Sequence, residues 1–127
     1  MTENEISYAI RGAAFEVMKK LGPGLLESIY EAALFYELQK RKIGVRRQVE
    51  VPVYYDGKNL GIGLRLDLLV SDKVIVELKS VEELHPVHFK QATTYLKITG
   101  MKLGILINFN TERLIDKQSI FRIVNNL

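Results

Sequence analysis

The chain has 127 residues, 47% of them hydrophobic and 26% charged, and no cysteine. That is enough apolar material for one folded domain over residues 1–127 and too little for a second core, and it excludes a disulfide framework and a thiolate metal site. The net charge of +3 permits a polyanionic partner without demanding one, no apolar run approaches the roughly 18 residues that span a bilayer, and the acidic start Met1-Thr2-Glu3-Asn4-Glu5 is unlike a leader peptide, so the expectation is a cytoplasmic protein outside any membrane.

Thr2 and Glu5 have capping-box spacing, and Ile6, Ile10, Ala13, Ala14, Val17, Met18 and Leu21 then recur at helical intervals, which predicts a helix over Glu3–Leu21. Gly22-Pro23-Gly24 breaks it. A second helix is predicted from Glu27 to Arg41, with Ile29, Ala33, Leu34 and Leu38 as its apolar positions. Lys40, Arg41 and Lys42 suit the negative end of the helix dipole, and Gly44 is the natural residue just past the end.

The period then changes to two. Val45, Val49, Val51 and Val53 alternate with polar residues or proline, and Pro52 points to an edge strand or a bulge. Tyr55-Asp56-Gly57-Lys58 is a hairpin turn, Leu60 to Val70 a second strand, Ser71-Asp72-Lys73 another turn and Val74 to Ser80 a third strand, an antiparallel meander. His85-Pro86 opens a helix that runs to Ile98 and stops at Gly100. Leu103–Asn108 and Ile120–Val124 are short strands, and the first of them is expected to enter the sheet by a crossover, parallel to the third strand. The order α-α-β-β-β-α-β-β predicts a mixed sheet with helices packed on its faces, an α/β (α+β) architecture.

The residues that do not suit a plain core lie at the second hairpin. Glu77 and Lys79 are two apart on one strand and share a face; Asp67 alternates with Leu66 and Leu68 and faces away from them; a hairpin through Ser71-Asp72-Lys73 brings Asp67 close to register with Glu77. Two carboxylates and an ammonium on one patch are unfavourable for stability alone, while a hard divalent cation takes such oxygens and leaves positions for water and phosphate. An exposed sheet face with an ordinary cross-strand Glu–Lys pair is the other reading.

Asp67, nine residues, then Glu77-Leu78-Lys79 resembles the PD-(D/E)XK nuclease signature, with Leu66 standing where the motif has proline. Gly24-Leu25-Leu26-Glu27-Ser28-Ile29-Tyr30 reads G-x-x-E-x-x-Y, and Gln91 with Tyr95 resembles the Q-x-x-x-Y element of many such nucleases. The resemblance is to the GxxExxY family of that superfamily and runs from the first helix to about Asn108. It implies a restriction-endonuclease-like αβββαβ core with an extra N-terminal helix. It implies that Asp67, Glu77 and the Leu78 carbonyl hold Mg²⁺ or Mn²⁺, that Lys79 positions the attacking water, and that Glu27 reaches the metal directly or through water. Gln91 and Tyr95, with Tyr30, would line the substrate cleft. On the residues alone, Glu27 is equally a helix-dipole partner and Tyr30 an ordinary core aromatic.

Arg46 and Arg47, after Lys40, Arg41 and Lys42, form the densest basic cluster, either a phosphate-contacting patch or a helix end with its complementing cations. His85 and His88 have a spacing that can bind a transition metal with Glu82 or Glu83, or contact substrate at a rim, or simply cap a helix. No glycine-rich nucleotide loop is present. The expectation is a metal-dependent nuclease acting on DNA, with a homodimer plausible because cutting both strands takes two sites. The alternatives are a non-catalytic nucleic-acid-binding or assembly module on the same fold and a small-molecule phosphoesterase.

Overall fold

The computed structural model describes residues 1–127. Thr2 and Glu5 close the predicted capping box: Thr2 Oγ1 accepts the Glu5 N–H at 3.2 Å and Glu5 Oε1 accepts the Thr2 N–H at 2.8 Å. The elements that follow are α1 (Glu3–Leu21), α2 (Glu27–Lys40), β1 (Val45–Tyr55), β2 (Lys58–Val70), β3 (Val74–Lys79), α3 (Pro86–Thr99), β4 (Leu103–Asn108) and β5 (Ile120–Val124). The five strands form one sheet in the order β1-β2-β3-β4-β5. The first three are antiparallel, β4 runs parallel to β3 through the α3 crossover, and β5 is antiparallel to β4. This is the mixed sheet expected, an α+β arrangement with the αβββαβ order and one added N-terminal helix. No helix is long and apolar enough to cross a membrane.

Two apolar layers sandwich the sheet. On one face Ile6, Ile10, Val17, Leu34 and Leu38 of α1 and α2 meet Leu68, Val70, Val76, Leu78, Ile105 and Ile107. On the other, Leu96 of α3 meets Leu66, Leu69 and Ile75. Burying each such side chain is worth about 1.5–3 kcal/mol, which fixes the helices against the strands and hence the ends of β3 relative to α2 and α3.

The differences from expectation are local. The left-handed residue after α2 is Lys42, φ 61°, rather than Gly44, and the helix ends one residue before Arg41. β3 stops at Lys79 and leaves Ser80 outside it. Pro52, as expected, lies on an edge strand, and the β1–β2 register shifts between Pro52 and Tyr54.

The larger correction concerns Asp67. Leu66 and Leu68 do not share a face: Leu66 packs under α3, and Leu68 belongs to the α1–α2 layer. Alternation therefore breaks at Asp67. It breaks opposite as well, because Gln48 stands across from Asp67, between the pairs Arg47↔Leu68 and Val49↔Leu66, with φ 49°. A non-glycine residue in that region marks a backbone held by its surroundings.

Candidate active site

The β2–β3 ladder ends at Leu68↔Val76. One step further the same register sets Asp67 against Glu77, but there the strands splay and a side chain takes the place of the backbone partner: Asp67 Oδ2 accepts the Leu78 N–H at 2.8 Å. The Asp67 and Glu77 carboxyl groups are left side by side. Glu77 Oε1 is buried and has no hydrogen-bond partner. Burial, then the adjacent Asp67 charge and a proton shared with Asp67, push the Glu77 carboxyl up to about 9 against the weaker pull of Lys79. An orphaned buried oxygen beside a second carboxylate is a donor set that a hard divalent cation fits. No three His, Asp or Glu side chains are grouped closely enough to hold a metal by themselves, so the protein side chains offered at this point are the two carboxylates.

Lys79 lies on the Glu77 face of β3, half-buried, and its carbonyl is tied to the Phe109 N–H at 2.9 Å. Glu27 is the first residue of α2, set there by the Gly22-Pro23-Gly24 break. Its Oε2 accepts the Ser80 N–H at 3.4 Å, and Ser80 Oγ donates to the Leu25 carbonyl at 2.6 Å. Glu27 thus stands at the end of β3 beside Ser80. Gln91 and Tyr95 come from α3, with Gln91 Nε2 donating to the Tyr95 hydroxyl at 3.0 Å. Burial first, then the neighbouring Glu77 carboxylate, raise the Tyr95 hydroxyl above its usual range, and Asp67 adds to the effect.

His88 entered the sequence reading, with His85, as a metal ligand, a substrate contact at the rim or a helix cap. Its Nδ1 accepts the His85 N–H at 3.0 Å, which closes the start of α3. Its imidazole is held below the usual range by burial, then by Lys79 and His85, against an opposing pull from Glu27. His88, Gln91 and Tyr95 are i, i+3 and i+7 of one helix and fall on one stripe. The reading of His85 and His88 as a metal pair does not survive, because one ring nitrogen of His88 is occupied by backbone and no third ligand joins them.

One expected substrate contact is also corrected, and two expected arginine contacts are found in ion pairs. Tyr30 is fully buried, its ring stacked on Phe109 with centroids 4.6 Å apart. Its hydroxyl donates to the Gly22 carbonyl at 2.6 Å and accepts the Leu25 N–H at 3.2 Å, so it builds the loop that presents Glu27 and does not face a substrate. Arg47 donates twice, at 3.2 and 3.1 Å, to the buried Glu31 carboxylate, whose other oxygen takes Gln48 Nε2 at 2.6 Å. Arg46 is exposed and paired with Asp72 at 2.7 Å. Arg41 is bound to Glu37 at 3.0 Å, so each arginine of the basic cluster holds an ion pair within the chain.

A family model described as the PD-(D/E)XK nuclease superfamily matches residues 4–123. The chain belongs to the PD-(D/E)XK nuclease superfamily. Among solved structures, that of SSO0001 superposes with a TM-score of 0.58 at 23% identity, over 80% of this chain and 51% of that one. This chain thus spans about half the length of that protein. An alkaline exonuclease from Laribacter hongkongensis is similar at a TM-score of 0.44 and 15% identity, over 96% of this chain and 80% of that one. No curated protein matches the sequence. At these identities the SSO0001 likeness concerns the fold, and the superfamily assignment rests on the match to residues 4–123.

Proposed function

We propose that residues 1–127 form one metal-dependent nuclease domain that hydrolyses phosphodiester bonds in DNA, of the GxxExxY branch through Gly24, Glu27 and Tyr30. The observation that carries this is the splayed strand end, where the Asp67 carboxylate and the orphaned, buried Glu77 Oε1 are brought to one place. Superfamily membership supports it, since nucleases of this class generally use divalent metals. Asp67 and Glu77 would hold Mg²⁺ or Mn²⁺. The Leu78 carbonyl is the natural third oxygen, because in a strand a residue's C=O points to the same edge as its N–H, and the Leu78 N–H points to Asp67. Bound there, the ion supplies Lewis-acid polarisation of the phosphate and a water of lowered pKa.

The chain's own residues do the rest. Lys79, two residues from Glu77 on the same face, orients the water for in-line attack and offsets the charge that builds on the phosphate oxygens. Glu27 fixes the turn after β3 through Ser80 and reaches the ion through water. Tyr95, braced by Gln91, closes the carboxylate side of the cleft. A second copy of the chain would supply the second cut in duplex DNA.

The test is cleavage of labelled duplex, single-stranded and branched DNA, and of RNA, in Mg²⁺ or Mn²⁺, beside Lys79→Ala and an EDTA control. Cleavage lost in both controls, with the variant's melting temperature unchanged, is the expected result. Binding that falls steeply with salt, is indifferent to EDTA and yields no product would make the chain a binding module instead.

A further inference from the structure

We propose that His88 is a substrate-binding residue of this site, donating its Nε2–H to a phosphate oxygen of the nucleic acid beside Lys79. The proposal rests on the nuclease reading above and names a contact that the nuclease motifs do not include. Three observations support it. First, position: Leu96 and Tyr95 of α3 pack on the face of β3 that holds Ile75, a face Glu77 and Lys79 share by alternation, and α3 begins shortly after β3 ends, so that His88 in its first turn lies toward the Lys79 end of the stripe His88, Gln91, Tyr95. Second, tautomer: Nδ1 accepts the His85 N–H at 3.0 Å, so in the neutral ring the proton is on Nε2. Third, availability: within the chain the ring is engaged through Nδ1, and the residue is half-buried rather than enclosed. Arg41, Arg46 and Arg47 each hold an ion pair within the chain, Lys79 is the cation on the strand that carries Glu77, and a phosphodiester has two non-bridging oxygens to satisfy. His88 supplies a second donor, adding no charge beside that ammonium.

Capping the helix is the competing role, and two substitutions separate it from substrate binding. In His88→Asn the side-chain oxygen falls near Nδ1 and keeps the His85 N–H bond while the Nε2 donor is lost. In His88→Gln the amide reaches toward the Nε2 position and the cap is lost. KM for cleavage in Mg²⁺, Kd for a labelled oligonucleotide in Ca²⁺ by fluorescence anisotropy, and melting temperature are measured for both. Expected for His88→Asn is a rise of about tenfold in KM and Kd, the worth of one hydrogen bond to a charged group, with kcat and melting temperature unchanged. His88→Gln should hold KM near the parent value and melt lower. Unchanged KM in an active His88→Asn overturns the proposal and leaves the nuclease reading intact. So does a lower melting temperature in His88→Asn, or a KM for His88→Gln as high as that of His88→Asn. If the parent chain neither binds nor cleaves, the nuclease reading fails and the contact with it.

Discussion

Glu77→Gln should make the metal-free protein more stable at neutral pH while ending its activity. In the absence of metal the folded chain holds the Glu77 proton to a pKa of about 9, against 4.5 for a free glutamate. The stability this group lends is complete below pH 4.5 and is lost as the pH rises toward 9, because in that window folding must take up a proton. Each pH unit is worth about 1.4 kcal/mol, so the ceiling at pH 7.5 is about 4 kcal/mol. Water reaching a half-buried carboxyl reduces this to about 2 kcal/mol. The glutamine carries no charge to desolvate and can donate to Asp67. For a chain of this size about 1 kcal/mol moves the melting temperature by about 4 °C, so the variant should melt about 8 °C above the parent. Thermal melts in EDTA from pH 4.5 to 8 read this directly. Equal melting temperatures at pH 7.5, or a gap that stays as wide at pH 4.5, would refute the reasoning. Adding Mg²⁺ should then raise the parent by about 3 kcal/mol at a hundredfold excess over Kd and leave Glu77→Gln unmoved, since the carboxylate pair is gone.

Arg47→Ala strands the buried Glu31 carboxylate and should cost about 2 kcal/mol in urea unfolding, less than for a fully enclosed pair because Arg47 is partly exposed. Arg46→Ala, which opens only an exposed bridge to Asp72, should stay within about 0.5 kcal/mol and leave KM for cleavage unchanged. Tyr30→Phe removes the hydroxyl that joins Gly22 to Leu25 and should lower stability by about 1–2 kcal/mol, with a fall in kcat as the start of α2 loosens around Glu27. Gly63→Ala would set a Cβ 2.2 Å from the Val51 carbonyl oxygen across the β1–β2 hairpin, and should destabilise by about 2 kcal/mol or disrupt the hairpin amides seen by NMR.

The order of elements and the parallel entry of β4 were legible because periodicity and turn chemistry are local and agree with each other along this chain: the Thr2–Glu5 box, the Gly22–Gly24 break and Gly100, at φ 73°, each end or begin an element where the residues require it. The juxtaposition of Asp67 and Glu77 was legible for the same reason, as a consequence of hairpin register. What was not legible depends on partners far away in sequence. Nothing near Arg47 says that Glu31, 16 residues earlier on α2, will be buried and take its charge. Nothing near Tyr30 says that Phe109 will cover its ring. A basic run and an aromatic at motif spacing read as surface until the tertiary contacts are known, and here those contacts turn both into supports for the site.

The break in alternation at Asp67 shows why the site demands an exception to the sheet. Had β2 alternated strictly, its ladder with β3 could have continued past Val76, and the Leu78 N–H would have met a backbone carbonyl instead of a carboxylate. Splaying the strands replaces that carbonyl with Asp67 Oδ2 and leaves Glu77 Oε1 buried without a partner beside it. The distortion is held from outside. Gln48, across from Asp67 at φ 49°, is fastened with Arg47 to Glu31, one helical turn from Glu27 on α2. The helix that carries Glu27 to the end of β3 is therefore the same one that anchors the strand opposite Asp67, and loosening either contact should be felt at both carboxylates.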